Sequence, residues 1–152
     1  MYQRVLVPLD GSRVAEAILP FIEQIAGPLD MEVLLVRVVP LTSMDVVGMA
    51  KAAQAGAPIL RELDAQGYLE PLVASLKAKA VRAGARVRIG DPATEIVAAA
   101  KEINADLIAM TTHGRSGLGR LLFGSVAEAV LRGSPIPVFL LRTSEAALES
   151  AA

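Results

Sequence analysis

The chain has 152 residues, a formal net charge of −1, 53% apolar residues and no cysteine. This length and composition predict one α/β domain, and the near-neutral charge excludes a nucleic-acid or membrane surface that works by bulk electrostatics. Without cysteine there are no disulfides, thiol nucleophiles or cysteine-ligated metals. The N-terminal apolar run is broken by Asp10 and predicts no secretion signal, and no run of about 18 uncharged apolar residues predicts a membrane span. We therefore expect a cytoplasmic protein.

The first element is a nearly continuous apolar run from Arg4 to Leu9, which predicts a strand covered on both faces. It is followed by Asp10-Gly11-Ser12, a turn at the carboxyl end of the strand, where ligands bind in open α/β sheets. Two interpretations of Asp10 stay open. Its carboxylate is either a ligand for a ribose hydroxyl or a metal-bound phosphate, or it forms an Asx turn into the first helix.

Apolar residues at helical spacing then predict a helix from Val14 that ends at Gly27, with a kink or break at Pro20. Met31 to Val39 predicts the second strand. Val38 lies at its exit, where an apolar side chain either belongs to the core or forms a wall for an adenine ring.

The segment from Pro40 to Pro58 has weak periodicity and is either a long loop or the start of the next helix. A helical pattern covers Ile59 to Ala83 and is expected to end at Gly84. Ala85 to Ile89 alternates as a strand at a sheet edge does. Asp91-Pro92 then predicts a helix start, with Asp91 as the N-cap and proline at the first helical position.

A strand from Leu107 to Thr111, a glycine-rich loop and a helix opening at Gly124-Ser125 form the most informative stretch. Glycine lets backbone N–H groups approach a ligand, and a helix N-terminus attracts anions. Arginines in the loop add charge, which predicts a nucleotide phosphate site. The alternatives are a mobile connection, a capping box in which Ser125 pairs with Glu128, and a purely structural role for His113, the single histidine. The glycines and arginines of the loop are Gly114, Arg115, Gly117, Gly119 and Arg120.

The last helix is predicted from Ser125 to Arg132, and the last strand from Pro135 to Leu141. Proline cannot donate to a central ladder, so this strand is predicted at a sheet edge, where it favours pairing with a second copy of the chain. We expect residues 1–143 to form one domain and residues 144–152 to form a disordered tail. Strands alternating with helices predict an open five-stranded, mostly parallel sheet with helices on both faces, a Rossmann-like α/β fold. Its switch point brings the turn after strand one beside the loop after strand four.

These segments, RVLVPLDGS, GDPATEIV, THGRSGLGRLLFGSVAEAVL and PIPVFLLR, resemble the universal stress protein family over roughly residues 2 to 142. Nucleotide-binding members have the motif G-x-x-G, nine further residues and G-[ST]. Here Gly114 is followed by nine residues and Gly124-Ser125, and the position of the first motif glycine holds Thr111.

The resemblance implies a regulatory module that binds ATP or AMP, with Mg²⁺ or Mn²⁺ bridging the phosphates, and a homodimer joined through the last strand. Two alternatives remain open: a homodimeric interaction module without nucleotide, and a slow ATP hydrolase or phosphotransferase in which Asp10 or His113 orients a water. The missing P-loop lysine argues against an enzyme. Carried over by position, the nucleotide-contacting residues are Pro8, Asp10, Val38, Met110, Thr111, His113, Gly114, Arg115, Gly124, Ser125 and Val126.

Overall fold

The computed structural model describes residues 1–41, 57–113, 124–143 and 145–150, without the side chains of residues 57–60, 113 and 145. Strands and helices alternate along most of this chain, as predicted. The strands are β1 (Arg4–Pro8), β2 (Glu32–Val39), β3 (Arg82–Ile89), β4 (Leu107–His113) and β5 (Val138–Thr143). The helices are α1 (Arg13–Glu16), α2 (Leu19–Ala26), α3 (Ala57–Ala78), α4 (Pro92–Glu102), α5 (Ser125–Gly133) and α6 (Glu145–Ser150).

The strands form one sheet in the order β3-β2-β1-β4-β5, and every neighbouring pair is parallel. The chain starts in the centre, builds outward to β3, and then continues on the other side of β1 with β4 and β5. This reversal places the carboxyl ends of β1 and β4 side by side, which is the switch point where α/β sheets open a crevice. The predicted fold class is confirmed.

The core is divided between the two faces of the sheet because successive side chains of a strand point in opposite directions. Val5, Val7 and Leu35 pack with residues of α2 and α3. Leu6 and Val36 pack on the other face with residues of α4 and α5. The central strands are therefore buried on both faces, which explains their continuous apolar runs.

The first helix is interrupted, as predicted from Pro20. Helix α1 ends at Glu16, and α2 begins at Leu19 with the proline in its first turn. Proline is tolerated there because the first N–H groups of a helix have no partner within the helix. Helix α2 ends at Ala26 with Gly27 as its C-cap, as predicted.

The end of α3 differs from the prediction. The helix ends at Ala78, and Gly84 lies inside β3, where it pairs with Leu34. Ala80 adopts a left-handed conformation with φ of 59°, and the Val81 N–H donates to the Leu76 carbonyl at 3.1 Å, so the helix terminates without a glycine. The predicted loop at 40–58 lies mostly outside the described residues.

The last strand also starts later than predicted. Pro135 and Pro137 precede β5, which begins at Val138, and the strand nevertheless lies at the sheet edge. The tail was predicted to be disordered, whereas Glu145–Ser150 forms α6, an alanine-rich helix in contact with α1. No helix in the described part of the chain has the length and apolar character that a membrane crossing requires.

Candidate functional site

A cavity of about 450 Å³ opens at the carboxyl ends of β1, β2 and β4. It sits at the switch point of the sheet, where the sequence predicted a ligand crevice. The lining residues are Pro8, Leu9, Asp10, Ala15, Val36, Arg37, Val38, Pro40, Pro92, Ile96, Met110, Thr111, Thr112, Gly124, Ser125, Val126 and Ala127.

The cavity brings together eight of the predicted nucleotide-contacting residues, from four separate parts of the chain. Of the other three, His113 ends β4 in register with Thr143, and its side chain is outside the described set. Gly114 and Arg115 lie outside the described residues. The eight that line the cavity are Pro8, Asp10, Val38, Met110, Thr111, Gly124, Ser125 and Val126.

The start of α5 forms one end of the cavity. Its N-cap is Gly124, and the first intrahelical bond joins the Glu128 N–H to the Gly124 carbonyl at 2.9 Å. The predicted capping box is therefore wrong, because Ser125 is the first helical residue rather than the cap. The N–H groups of Ser125, Val126 and Ala127 belong to the first turn, where helix geometry provides no partner for them. These three residues line the cavity.

Thr112 fixes this helix start, and sequence reasoning missed it. Its side chain is only 4% exposed, and its hydroxyl accepts a hydrogen bond from the Gly124 N–H at 3.3 Å. The Gly124 N–H is thus engaged within the protein. Strand alternation could have found this residue, since Ile108, Met110 and Thr112 share the face that α4 and α5 cover.

Thr111, at the position of the missing motif glycine, points to the opposite face. Its hydroxyl donates to the Ala15 carbonyl of α1 at 3.3 Å. This threonine therefore ties β4 to the first helix at the cavity's edge. Its hydroxyl proton is committed to α1 in this geometry.

The turn after β1 forms a second side of the cavity. The Ser12 N–H donates to Asp10 Oδ1 at 2.9 Å, and the Ala15 N–H donates to Ser12 Oγ at 3.1 Å. The Asx turn is therefore formed, and Ser12 caps α1. Because Asp10 also lines the cavity, the turn and a ligand contact are compatible.

An apolar wall completes the cavity. Val36, Val38, Ile96 and Met110 line it and pack with the residues of α4 and α5, and Met110 is 6% exposed. Such a wall suits a flat apolar ring. Val38 and Met110, which were predicted to flank an adenine ring, lie together on this wall.

Arg37 is a second lining residue that sequence reasoning overlooked. Its guanidinium carbon lies 5.0 Å from the centroid of the Tyr68 ring, a cation–π contact. Burial raises the pKa of Tyr68 to about 12, and the neighbouring Glu16 carboxylate adds to this shift while the Arg37 charge opposes it. The available signal was a lone arginine inside the apolar run of β2.

Within the described ranges, no group of three or more His, Asp or Glu residues is placed to hold a metal ion. The charged side chains that line the cavity there are Asp10 and Arg37. Besides these two charges, the described part of the site contains the first-turn residues of α5, the hydroxyl-bearing residues Thr111, Thr112 and Ser125, and the apolar wall.

Comparison with known proteins identifies relatives along nearly the whole chain. The model of the universal stress protein family matches residues 1–142. A universal stress protein of Methanothermobacter thermautotrophicus is 35% identical over 150 residues, covering 94% of this chain and 97% of the relative. The solved structure of a Methanocaldococcus jannaschii universal stress protein has a TM-score of 0.79 at 27% identity and covers 95% of this chain and 99% of that one. Another universal stress protein, solved in complex with cAMP, has a TM-score of 0.61 at 26% identity and covers 94% of this chain and 98% of that one.

Proposed function

Because the chain belongs to the universal stress protein family, we propose that it is a regulatory module that binds an adenine nucleotide in the cavity at the switch point. One observation carries the proposal. The Asp10 turn, the apolar wall at Val38 and Met110, and the start of α5 converge on one cavity of about 450 Å³. That volume lies within the usual range of small-ligand sites, roughly 300–1,000 Å³.

The start of α5 is the proposed phosphate end of the site. The N–H groups of Ser125, Val126 and Ala127 combine unpaired donors with the positive end of the helix dipole. Gly124 has no side chain to cover them, and a Cβ added there would meet no atom within 4 Å. Gly114 and Arg115 are proposed to add backbone and charge contacts from the segment outside the described residues.

The opposite end is proposed to hold the nucleoside. An adenine ring would lie against Val38 and Met110, and the Asp10 region would accept from a ribose hydroxyl. The relative solved with cAMP, 26% identical to this chain, supports an adenine nucleotide as the ligand class. ATP or AMP is the specific ligand we propose. With ATP, Mg²⁺ or Mn²⁺ would be carried mainly by the phosphates, since no cluster of three metal-ligating side chains exists in the described ranges.

This module can signal by binding its nucleotide, without catalysing a reaction. A ligand that prefers one conformation of the site shifts the population toward it by the ratio of its two affinities. Hydrolysis is the second candidate activity, with Asp10 or His113 as the group that would orient a water. Binding without turnover favours the regulatory module, whereas turnover that Asp10→Ala abolishes would favour the hydrolase.

We propose that the working unit is a homodimer of residues 1–143, joined through β5. This strand lies at the sheet edge and carries the apolar run Val138 to Leu141, with Phe139 38% exposed. An apolar edge strand is a template for pairing with an identical edge. A dimer that forms but binds no nucleotide would favour the alternative of a pure interaction module.

The test is a thermal melt of the nucleotide-stripped protein with and without saturating ATP and magnesium. Ligand at about one hundred times its Kd adds about 2.7 kcal/mol, a rise in Tm of roughly 5–10 °C for this size. Gly124→Val should abolish the rise by covering the first-turn donors. Gly133→Val is the matched control, because an added Cβ at the far end of α5 also meets no atom within 4 Å.

A normal rise in Gly124→Val with its fold intact would show that the phosphate end lies elsewhere. The absence of any rise in the wild-type protein with ATP, ADP or AMP at millimolar concentration would overturn nucleotide binding itself.

A further inference from the structure

Arg37 lies at the rim of the cavity on the face of the sheet opposite α5. Val33 and Leu35 precede it at alternate positions of β2 and pack with α2 and α3, and Arg37 continues this row to Tyr68 of α3. The proposed phosphate end belongs to the other face, where Ala127 of α5 is buried with Val36. Arg37 and the start of α5 therefore approach the cavity from opposite sides of the sheet.

Two neighbours flank the guanidinium. The Tyr68 ring stacks against it at 5.0 Å. On another side lies Gly11, with φ of +89°, where an added Cβ would come within 2.3 Å of Arg37 Nη1. A residue with a side chain at position 11 would displace the arginine, so the turn after β1 leaves room for it. The guanidinium is thus positioned before any ligand arrives.

The electrostatic setting of Arg37 is unusual in this protein. Arg37 and Arg88 are the half-buried arginines among the described side chains. Arg88 bonds Glu95 and Glu102, each at 2.7 Å. In contrast, among the described residues no carboxylate forms an ion pair with Arg37; its guanidinium lies over the Tyr68 ring and beside Gly11, and the Glu16 and Asp10 carboxylates act on the same ring. A half-buried guanidinium with five N–H donors is stabilised by an acceptor, and a negative charge is the strongest one.

Arg37 lies on β2, whereas the start of α5 is bonded to Thr112 of β4. β1 separates β2 from β4, so the two positions are roughly 10 Å apart across the sheet, in addition to facing opposite sides. Arg37 therefore addresses a part of the ligand other than the phosphates bound at α5. The Asp10 turn lies between them, where the proposed function places the ribose.

We propose that Arg37 binds a second anionic group on the ribose, so that the site prefers an adenosine nucleotide phosphorylated at its 2′- or 3′-oxygen over one with both hydroxyls free. The inference rests on the proposed nucleotide site and specifies its ligand. The chemistry is the one that dinucleotide-binding folds use when an arginine beside the ribose accommodates a 2′-phosphate. Asp10 remains anchored to the Ser12 N–H and faces the remaining hydroxyl.

The experiment compares the affinities of AMP, adenosine 2′,5′-bisphosphate and adenosine 3′,5′-bisphosphate by isothermal titration. We expect one bisphosphate to bind the wild-type protein about tenfold more tightly than AMP, and the better isomer identifies the ribose oxygen. Arg37→Gln should reduce the ratio of the two affinities to about one. Arg37→Lys keeps the charge but loses the planar guanidinium that bonds an anion with two N–H groups, so it should retain part of the preference. Arg86→Gln on the exposed part of β3 removes the same charge and should leave the ratio unchanged.

Two results separate this inference from the proposed function. If AMP binds and neither bisphosphate binds more tightly, or if Arg37→Gln keeps the preference, the role of Arg37 is wrong while the nucleotide site stands. If no nucleotide binds the wild-type protein, both the proposed function and this inference are wrong. Melting curves of each variant without ligand establish that the fold is intact before the ratios are compared.

Discussion

The hydroxyl of Thr112 accepts a hydrogen bond from the Gly124 N–H at 3.3 Å and thereby joins the end of β4 to the start of α5. Eleven residues separate Thr112 from Gly124 in the sequence, and this bond joins the two positions directly. Because Thr112 is buried, the bond forms away from competing water. The position of the first-turn donors of α5 therefore depends on a side chain of the neighbouring strand.

Thr112→Val should loosen the start of α5. The change keeps the shape and removes the acceptor, which costs about 1 kcal/mol for a buried hydrogen bond and lowers Tm by roughly 2–4 °C. We expect nucleotide affinity to fall about three- to tenfold because the donors are less well positioned. Isothermal titration and thermal melts measure both effects.

Ser134→Ala is the control for this prediction. Ser134 Oγ accepts from the Ile136 N–H at 3.0 Å, so the variant loses a similar hydroxyl–backbone bond at the other end of α5. It should lose stability without losing affinity. Equal affinities in Thr112→Val and the wild type would mean that the helix start does not contact the ligand.

Much of the fold followed from pattern alone. The apolar runs of β1 and β2 predicted strands buried on both faces, and alternation of strands and helices predicted the parallel sheet and its switch point. The end of α3 was misplaced because Gly84 is a plausible helix terminator by sequence. The real terminator is Ala80 in a left-handed conformation, which residue preferences disfavour and only the Val81–Leu76 bond explains.

The candidate site was predictable where a residue acts through its own chain segment. Asp10 and Ser125 lie at element ends, so topology alone places them at the crevice. Thr112 and Arg37 act through contacts between elements far apart in sequence, with Gly124 and Tyr68 respectively. Strand alternation and the lone arginine in an apolar run point to the two residues themselves, but no local pattern encodes their partners, which is why both were missed.

Tyr68 should ionise only near pH 12. Burial raises its pKa to about 12, and the Glu16 carboxylate contributes to the shift. Since the folded pKa lies above the unfolded value of about 10, the stabilisation is complete below pH 10 and is lost as pH rises toward 12. Phenolate absorbance in a Tyr2→Phe background, which leaves Tyr68 as the single tyrosine, measures this titration.

Glu16→Gln separates the two causes of this shift. Removing the carboxylate should lower the pKa of Tyr68, yet leave it above its ordinary value because burial is the larger cause. A titration unchanged by Glu16→Gln would place the carboxylate too far from the ring to act. Circular dichroism at each pH verifies that the absorbance change precedes unfolding.

Asp106 should make the protein sensitive to acid. Its Oδ2 accepts from the N–H groups of Gln3 and Arg4 at 2.6 and 2.9 Å, and these bonds lower the pKa of its carboxyl. A lowered folded pKa means that the stabilisation is present above the unfolded value of about 3.9 and is lost as pH falls below it. Asp106→Asn should lower Tm at pH 7 and flatten the decline of Tm below pH 4.

The control is Asp64→Asn, which removes the same charge from the exposed face of α3. It should leave the acid limb of the Tm profile as in the wild type. If the two variants behaved alike, general charge repulsion would govern the fall of Tm in acid, and the hydrogen bonds from Gln3 and Arg4 to Asp106 would not.

The two edges of the sheet differ in charge, and this difference favours β5 as the strand of the proposed dimer. β3 carries Arg82, Arg86 and Arg88, and charges on an edge strand oppose pairing with a second copy. β5 instead presents an apolar run with Phe139 38% exposed. Phe139→Lys should therefore raise the dimer dissociation constant at least about tenfold, measured by sedimentation velocity over a concentration series.

Leu63→Lys replaces an apolar residue that is 61% exposed on α3 and should leave the dimer intact. A dimer that survives Phe139→Lys and dissociates in Leu63→Lys would move the interface from the sheet edge to the face covered by α3.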